Sequence, residues 1–277
     1  MGEEIYAGPL GETRTISTAG GGTALSTSAV WVTLIPGTNW LEVMPRNFST
    51  AAVTKLALNP YLVVIKTTDA LATVANMTDA SEAVQDAGLL GTTTLDMGSF
   101  PVVATGRLYV GAHTQFRGVR VTIGNNNTTG GTVLTVKYWK TDNTWASISV
   151  TDGTSSTDTL RQTGNATWTV PTDWKKASLF DIGDTTLAAP SILKQPLFWT
   201  RWETDVAFTD ASVTIAEMQA MNRDTAQYHE RIAGSSFEAD VHRNIGGIGC
   251  VELLTDAGTA NVIVNVAARG SGGRFGP

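Results

Sequence analysis

Between residues 100 and 220 the sequence places short strand-like segments every 10 to 15 residues, separated by polar turns and without any sizeable helical pattern. That rhythm restricts the fold more than any other feature, because it fits a β-sandwich or jelly roll and little else. The expected strands lie at 107–110, 116–123, 132–140, 145–150, around Leu160, and at 167–170, 196–203 and 213–218. Within 116–123 the alternation of Val119, Val121 and Ile123 marks one face. Within 132–140, Val133, Thr135, Lys137 and Trp139 share a face, and Tyr138 beside Trp139 puts aromatics on opposite sides of one strand. Residues 141–144 read as a short hairpin loop. Composition agrees. Charged residues are 16% of the chain, against roughly a quarter in ordinary domains. Thr (42) and Gly (28) fill the deficit, one suited to pleated half-buried surfaces and the other to turns. The fold class expected is all-β.

Outside this region the pattern implies a second, smaller β-rich part. Segments 30–35 and 40–44, across a Pro36–Gly37 turn, read as a hairpin, and 249–254 with 261–268, across 255–259, as another. The uninterrupted apolar run 61–65 suits a strand buried on both faces. Residues 49–58 read as a helical turn or two ended by Pro60. A further helical turn fits 79–87, capped by Asp79 or Ser81 and closed by Gly88. A lone hairpin is marginal in water, so the two hairpins are expected to share a sheet. The expected division is an extended arm over 1–27, a base β-domain over 28–98, a jelly roll or β-sandwich over 99–221, and the rest of the base with a tail over 222–277. The sandwich is then inserted in the base, or follows it in succession.

Several function classes lose their footing. A net charge of −6 removes the electrostatic basis for general nucleic-acid binding. One cysteine, Cys250, excludes a disulfide framework and Cys-based zinc sites, and should pack as a small hydrophobe. No apolar run is long enough for a membrane-spanning helix. Glu3 and Glu4 stand where a secretory signal would carry basic residues, so synthesis in a cytoplasm is expected. His113, His229 and His242 have no metal-ligand spacing, and the glycine clusters at 20–22, 246–249 and 270–273 lack a phosphate-loop continuation. No catalytic, cofactor-binding or metal-binding residue is assigned. Asp152, Asp158, Asp173, Asp181 and Asp184 fall in loops, where they are turn formers or, at Asp152–Gly153–Thr154 and Asp181–Asp184, calcium ligands. Six of the eight tryptophans lie in the sandwich region. Most should be core, with Trp145 and Trp174 as candidate exposed rings for stacking on a glycan.

The run Leu108–Tyr109–Val110–Gly111, Phe116–Arg117–Gly118 and Leu134–Thr135–Val136–Lys137–Tyr138–Trp139 has a counterpart elsewhere. With Trp145, Ser149–Val150–Thr151–Asp152–Gly153–Thr154 and Ala166 to Trp174, it resembles a β-module that recurs in tailed-bacteriophage virion structural proteins. The ending Gly246 to Glu252 with Thr255 to Asn261 looks like the same group. The resemblance implies a non-enzymatic virion component and brings no catalytic residue with it. The expectation is a homo-oligomeric capsid decoration or cement protein, a trimer by preference, bound to the major capsid protein or other virion proteins. A tail, baseplate or fibre-anchoring protein is the alternative, and a carbohydrate-binding β-sandwich recognising a host-surface glycan is another. No nucleic acid, membrane or cofactor is expected.

Overall fold

The computed structural model describes residues 23–34, 37–51, 53–85, 94–98, 100, 106–182, 194–209, 211–224, 228–232 and 235–267. The chain opens with β1 (Thr23–Leu25), β2 (Val30–Thr33), β3 (Trp40–Ser49) and β4 (Thr54–Pro60). It continues with β5 (Leu62–Thr67), β6 (Met77–Asp79), β7 (Leu95–Asp96), β8 (Arg107–Ala112) and β9 (Phe116–Asn125). Then come β10 (Leu134–Trp139), β11 (Trp145–Ile148), β12 (Thr151–Asp152), β13 (Gly164–Thr167) and β14 (Lys176–Ala177). The last are β15 (Leu197–Thr204), β16 (Thr214–Asn222), β17 (His229–Arg231), β18 (Phe237–Asp240), β19 (Ile248–Thr255) and β20 (Thr259–Ala267). The all-β class expected from the strand rhythm is what the structure shows.

Two compact units result. The base comprises Met1–Asn59 with Ala226–Pro277, and the inserted unit is Pro60–Thr225. The division thus falls at Asn59, not at residue 98, because β5 and β6 join the large sheet of the inserted unit. The arm expected over 1–27 lies outside the described residues up to position 22, and β1 begins at Thr23.

The base is a sandwich of two four-stranded sheets, ordered β1-β20-β3-β18 and β17-β4-β19-β2. Neither expected hairpin forms. β2 pairs with β19 while β3 pairs with β18 and β20, so both connections arch from one sheet to the other. The cause is the pattern of burial. Val32 and Leu34 before the first arch, Leu41 and Val43 after it, Val251 and Leu253 before the second, and Val262, Val264 and Val266 after it all point into one core. Strands that face each other across a core cannot also lie side by side in one sheet. Gly258 closes the second arch with φ of 59°, and a Cβ there would meet Ser49 and Thr50. The helical turn expected at 49–58 is also absent. Ser49 ends β3, and β4 takes up the stretch from Thr54, held between β17 and β19 with Leu56 and Ala57 fully buried. Sheet pairing overrides a weak local preference.

The inserted unit packs the sheet β11-β10-β15-β8-β5-β6, which β14 joins at β15, against the sheet β12-β13-β9-β16-β7. Leu62, Val64, Leu108, Val110, Val136 and Trp202 meet Val119, Val121, Ala166, Ile215, Met218 and Ala220 between them. The larger sheet is buried on its other face too, where Tyr61, Val63, Ile65, Tyr109, Trp139, Leu197 and Trp199 are covered by loops carrying Leu71, Leu179 and Ile182. This explains the uninterrupted apolar run in β5. Tyr138 packs on the inner core and Trp139 in the outer one, the opposite-face placement read from the sequence. The hairpin expected across 141–144 forms, with Trp139 opposite Trp145. Leu160 is not in a strand; it sits in a turn with φ of 56°. Val84 N–H donates to the Ala80 carbonyl in the turn expected after Asp79, whose carboxylate accepts from Ser81 N–H and Oγ. Gly88 lies outside the described residues.

Candidate functional site

The residues singled out in the sequence are packing residues. Trp174 is 4% exposed, and its indole N–H donates to the Trp199 carbonyl. Trp145 is half-buried, with the Arg201 guanidinium 4.8 Å from its ring centroid and the rings of Trp139 and Tyr109 at 5.3 and 6.0 Å. The exposed aromatic pair anticipated for glycan stacking is therefore not formed by these two. The remaining tryptophans of this unit are buried as well. The indoles of Trp168, Trp199 and Trp202 donate to Phe116 O, Ala177 O and Thr200 Oγ1. Each satisfied N–H lets a large ring enter the core without an unpaired donor.

The loop carboxylates are likewise committed to local structure. Asp152 accepts from Thr154 N–H and Oγ1. Asp158 accepts from Gly131 N–H at 2.6 Å, and Asp173 from the Tyr138 hydroxyl at 2.8 Å. Asp181 accepts from Ser178 Oγ; Gly183 and Asp184 lie outside the described residues. These are the turn-forming contacts Asp makes in β-proteins. No group of three or more potential metal ligands occurs among the described residues. His113, His229 and His242 are all exposed and lie in separate elements or loops.

Asp69 shows this use of carboxylates most fully. It accepts from Ala72 N–H, Thr73 N–H and Oγ1, and Asn76 Nδ2, while Thr67 Oγ1 bonds it from the side. Desolvation opposes the charged form, but the donors from Asn76, Thr73 and Thr67 together outweigh it and hold the carboxyl below its ordinary value. The cage fixes Ala70 and Leu71 at φ of 56° and 65°, so that Leu71 reaches the outer core. In the same unit, burial lowers the pKa of the Lys66 ammonium against the opposing pull of the Asp96 carboxylate, and the ammonium donates a hydrogen bond to the Asp96 backbone carbonyl. The bond links β5 in one sheet to β7 in the other.

A groove of about 670 Å³ lies at the edge of the inserted sandwich. It lies where β11, the outer strand of the larger sheet, passes into β12, the outer strand of the smaller. Ser147, Ser149, Thr151, Thr167 and Thr169 lie along it. Ile148, Trp168, Pro171 and the ring of Tyr138 supply apolar surface, and Arg117 of β9 adds a guanidinium. The Tyr138 hydroxyl is raised above its ordinary value, first by burial and then by its bond to Asp173, so it stays a donor. No carboxylate lines the groove. Sequence reading missed these residues because isolated Ser and Thr in a Thr-rich chain carry no signal. Only the edge-to-edge meeting of two sheets gathers them. The chain matches no protein-family model, no curated protein and no solved structure.

Proposed function

We propose that the protein is a non-enzymatic structural subunit of a tailed-bacteriophage virion, a homo-oligomer that decorates the outer capsid surface. The observation that carries the reading is the direction of the chain ends at the base. β1 runs antiparallel to β20, with Thr23 opposite Val262 and Leu25 opposite Ala260. The start of β1 and the finish of β20 therefore lie at the same end of one sheet, in which β1 is an outer strand. An outer strand of this kind is suited to engaging sister subunits or a capsid lattice by strand addition. The loop carboxylates engaged in turn capping support a rigid scaffold in preference to acid–base chemistry. The acidic surface disfavours contact with packaged genome and favours an exterior position. The resemblance of the sandwich to virion modules points the same way.

Mass spectrometry of purified virions with absolute copy number tests this. A decoration protein is present at on the order of hundreds of copies, as a closed symmetric oligomer repeated over a shell requires. A copy number of a few multiples of three or six moves it to the tail or baseplate. Absence from purified particles overturns the virion reading.

A further inference from the structure

The groove at the edge of the inserted sandwich has no part in assembly as proposed above. We infer that it is an oligosaccharide-binding site. The inference stands on the groove alone and does not require the virion reading.

Three properties select the ligand class. The first is the lining. Ser147, Ser149, Thr151 and Thr169 are exposed and project from, or directly beside, paired strands. A hydroxyl is both donor and acceptor, as a sugar hydroxyl is, so either partner satisfies the other in whichever sense the ring presents. Ordering short Ser and Thr side chains costs little entropy compared with Lys, Glu or Gln, so a lining of this kind is pre-organised for weak, repeated hydrogen bonds. The second property is the apolar component. Ile148 and Pro171 are half-buried and flank the hydroxyls, offering surface to the C–H faces of a pyranose ring. The third is charge. The chain carries −6 overall, yet the groove is lined by a guanidinium and no carboxylate. A single cation is too little for a nucleic-acid backbone, which needs several. The volume, about 670 Å³, lies in the ordinary range of ligand sites.

An array of bacterial surface oligosaccharides, probed with the full chain, tests the inference. At least one glycan should be retained. Ser149→Trp and Thr169→Trp fill the groove from two exposed positions, and each should weaken retention about tenfold or more, a change of one decade in Kd, with the melting temperature unchanged. Should either bulky variant misfold, the double substitution Thr151→Val with Thr169→Val removes two hydroxyls at constant volume and should still weaken binding several-fold. Retention of no glycan overturns the inference, as does undiminished binding by the groove variants. A synthetic peptide of residues 1–22, offered as a competing probe, should not displace the glycan; occupancy of the groove by that peptide and by no glycan would assign it to assembly instead. Virion copy number and glycan retention are read separately, so either reading can fail without the other.

Discussion

The base and the inserted unit are both two-sheet sandwiches, yet they reach that form by opposite means. In the base the chain changes sheet at each step from β1 to β4 and again from β17 to β20. Its core is built of Val and Leu, with Phe237 as the one aromatic of the cluster. The inserted unit uses side-by-side neighbours such as β10 and β11, and its large sheet is buried on both faces. Four of its tryptophans anchor their indole N–H on oxygen atoms inside the fold. Trp168, Trp174 and Trp202 lie in the core between the two sheets, while Trp199 lies with Trp139 under the loops of the outer face. There, large rings with one polar handle fill irregular space better than aliphatic chains do. Among the described residues the base shows no such third layer, and aliphatic residues make up its core.

That contrast can be broken or sharpened by substitution. The largest effect is expected for Trp199→Ala, since Trp199 is fully buried and its ring lies where a Cβ on Gly111 would sit, 2.5 Å away. Urea denaturation should show a loss of about 3–5 kcal/mol in the inserted unit's transition, as for other large-to-small core changes. A loss below about 1 kcal/mol would mean that the outer layer is not a core. Next comes Tyr228→Phe in the base. The Tyr228 hydroxyl donates at 2.6 Å to Glu252, whose side chain is 2% exposed. Losing a hydrogen bond to a buried carboxylate should cost about 1.5–3 kcal/mol. The effect should be confined to the base transition, because distant sites add independently.

Smaller changes probe the loop that covers the outer core. Asp69→Ala removes the acceptor that gathers residues 72–76 and should cost about 1–2 kcal/mol at neutral pH, as the loss of a capping carboxylate does. The carboxyl is held below its ordinary value, so its contribution is complete above that value and disappears as pH falls through the lowered one. The stability gap between wild type and variant should therefore close in acid, and a pH-independent gap would contradict the cage. The smallest effect, and the only gain, is expected for Ala70→Gly. Ala70 sits at φ of 56°, a conformation that glycine adopts without the side-chain penalty, so the variant should gain about 0.5–1 kcal/mol in the same denaturation assay.

Strand positions were legible wherever alternation was strong. β9, β10, β16 and β20 lie close to their expected places, and the run in β5 correctly implied burial on both faces. Partner choice was not legible in the base. Alternation tells which side chains point inward but not whether a turn folds flat or arches, and at 37–39 and 256–258 the same turn residues serve the second purpose. The stretch 49–58 was misread because its strand is fixed by partners almost two hundred residues away, as Val53 N–H bonded to Asp256 illustrates. Trp145 and Trp174 stood out as candidates because tryptophan is conspicuous in sequence. The groove hydroxyls did not, because nothing local distinguishes Thr169 from the other threonines of the chain.

The strand order of the base bears on how the protein is made. Among the described residues, β1, β2, β3 and β4 take all their partners from β17 to β20, at the far end of the chain. A ribosome releases the first four strands long before their partners exist, while the inserted unit has all of its strands within Pro60–Thr225 and can close as soon as that stretch has emerged. The pairing of β17 with β4, His229 opposite Leu56, then needs only the two ends of an already folded body to be joined. A chain stopped before β19 leaves β2 without the strand that seats it, and with it half of the base core. The base core thus closes only after β19 and β20 have been made, and any surface it offers to neighbouring subunits is withheld until then.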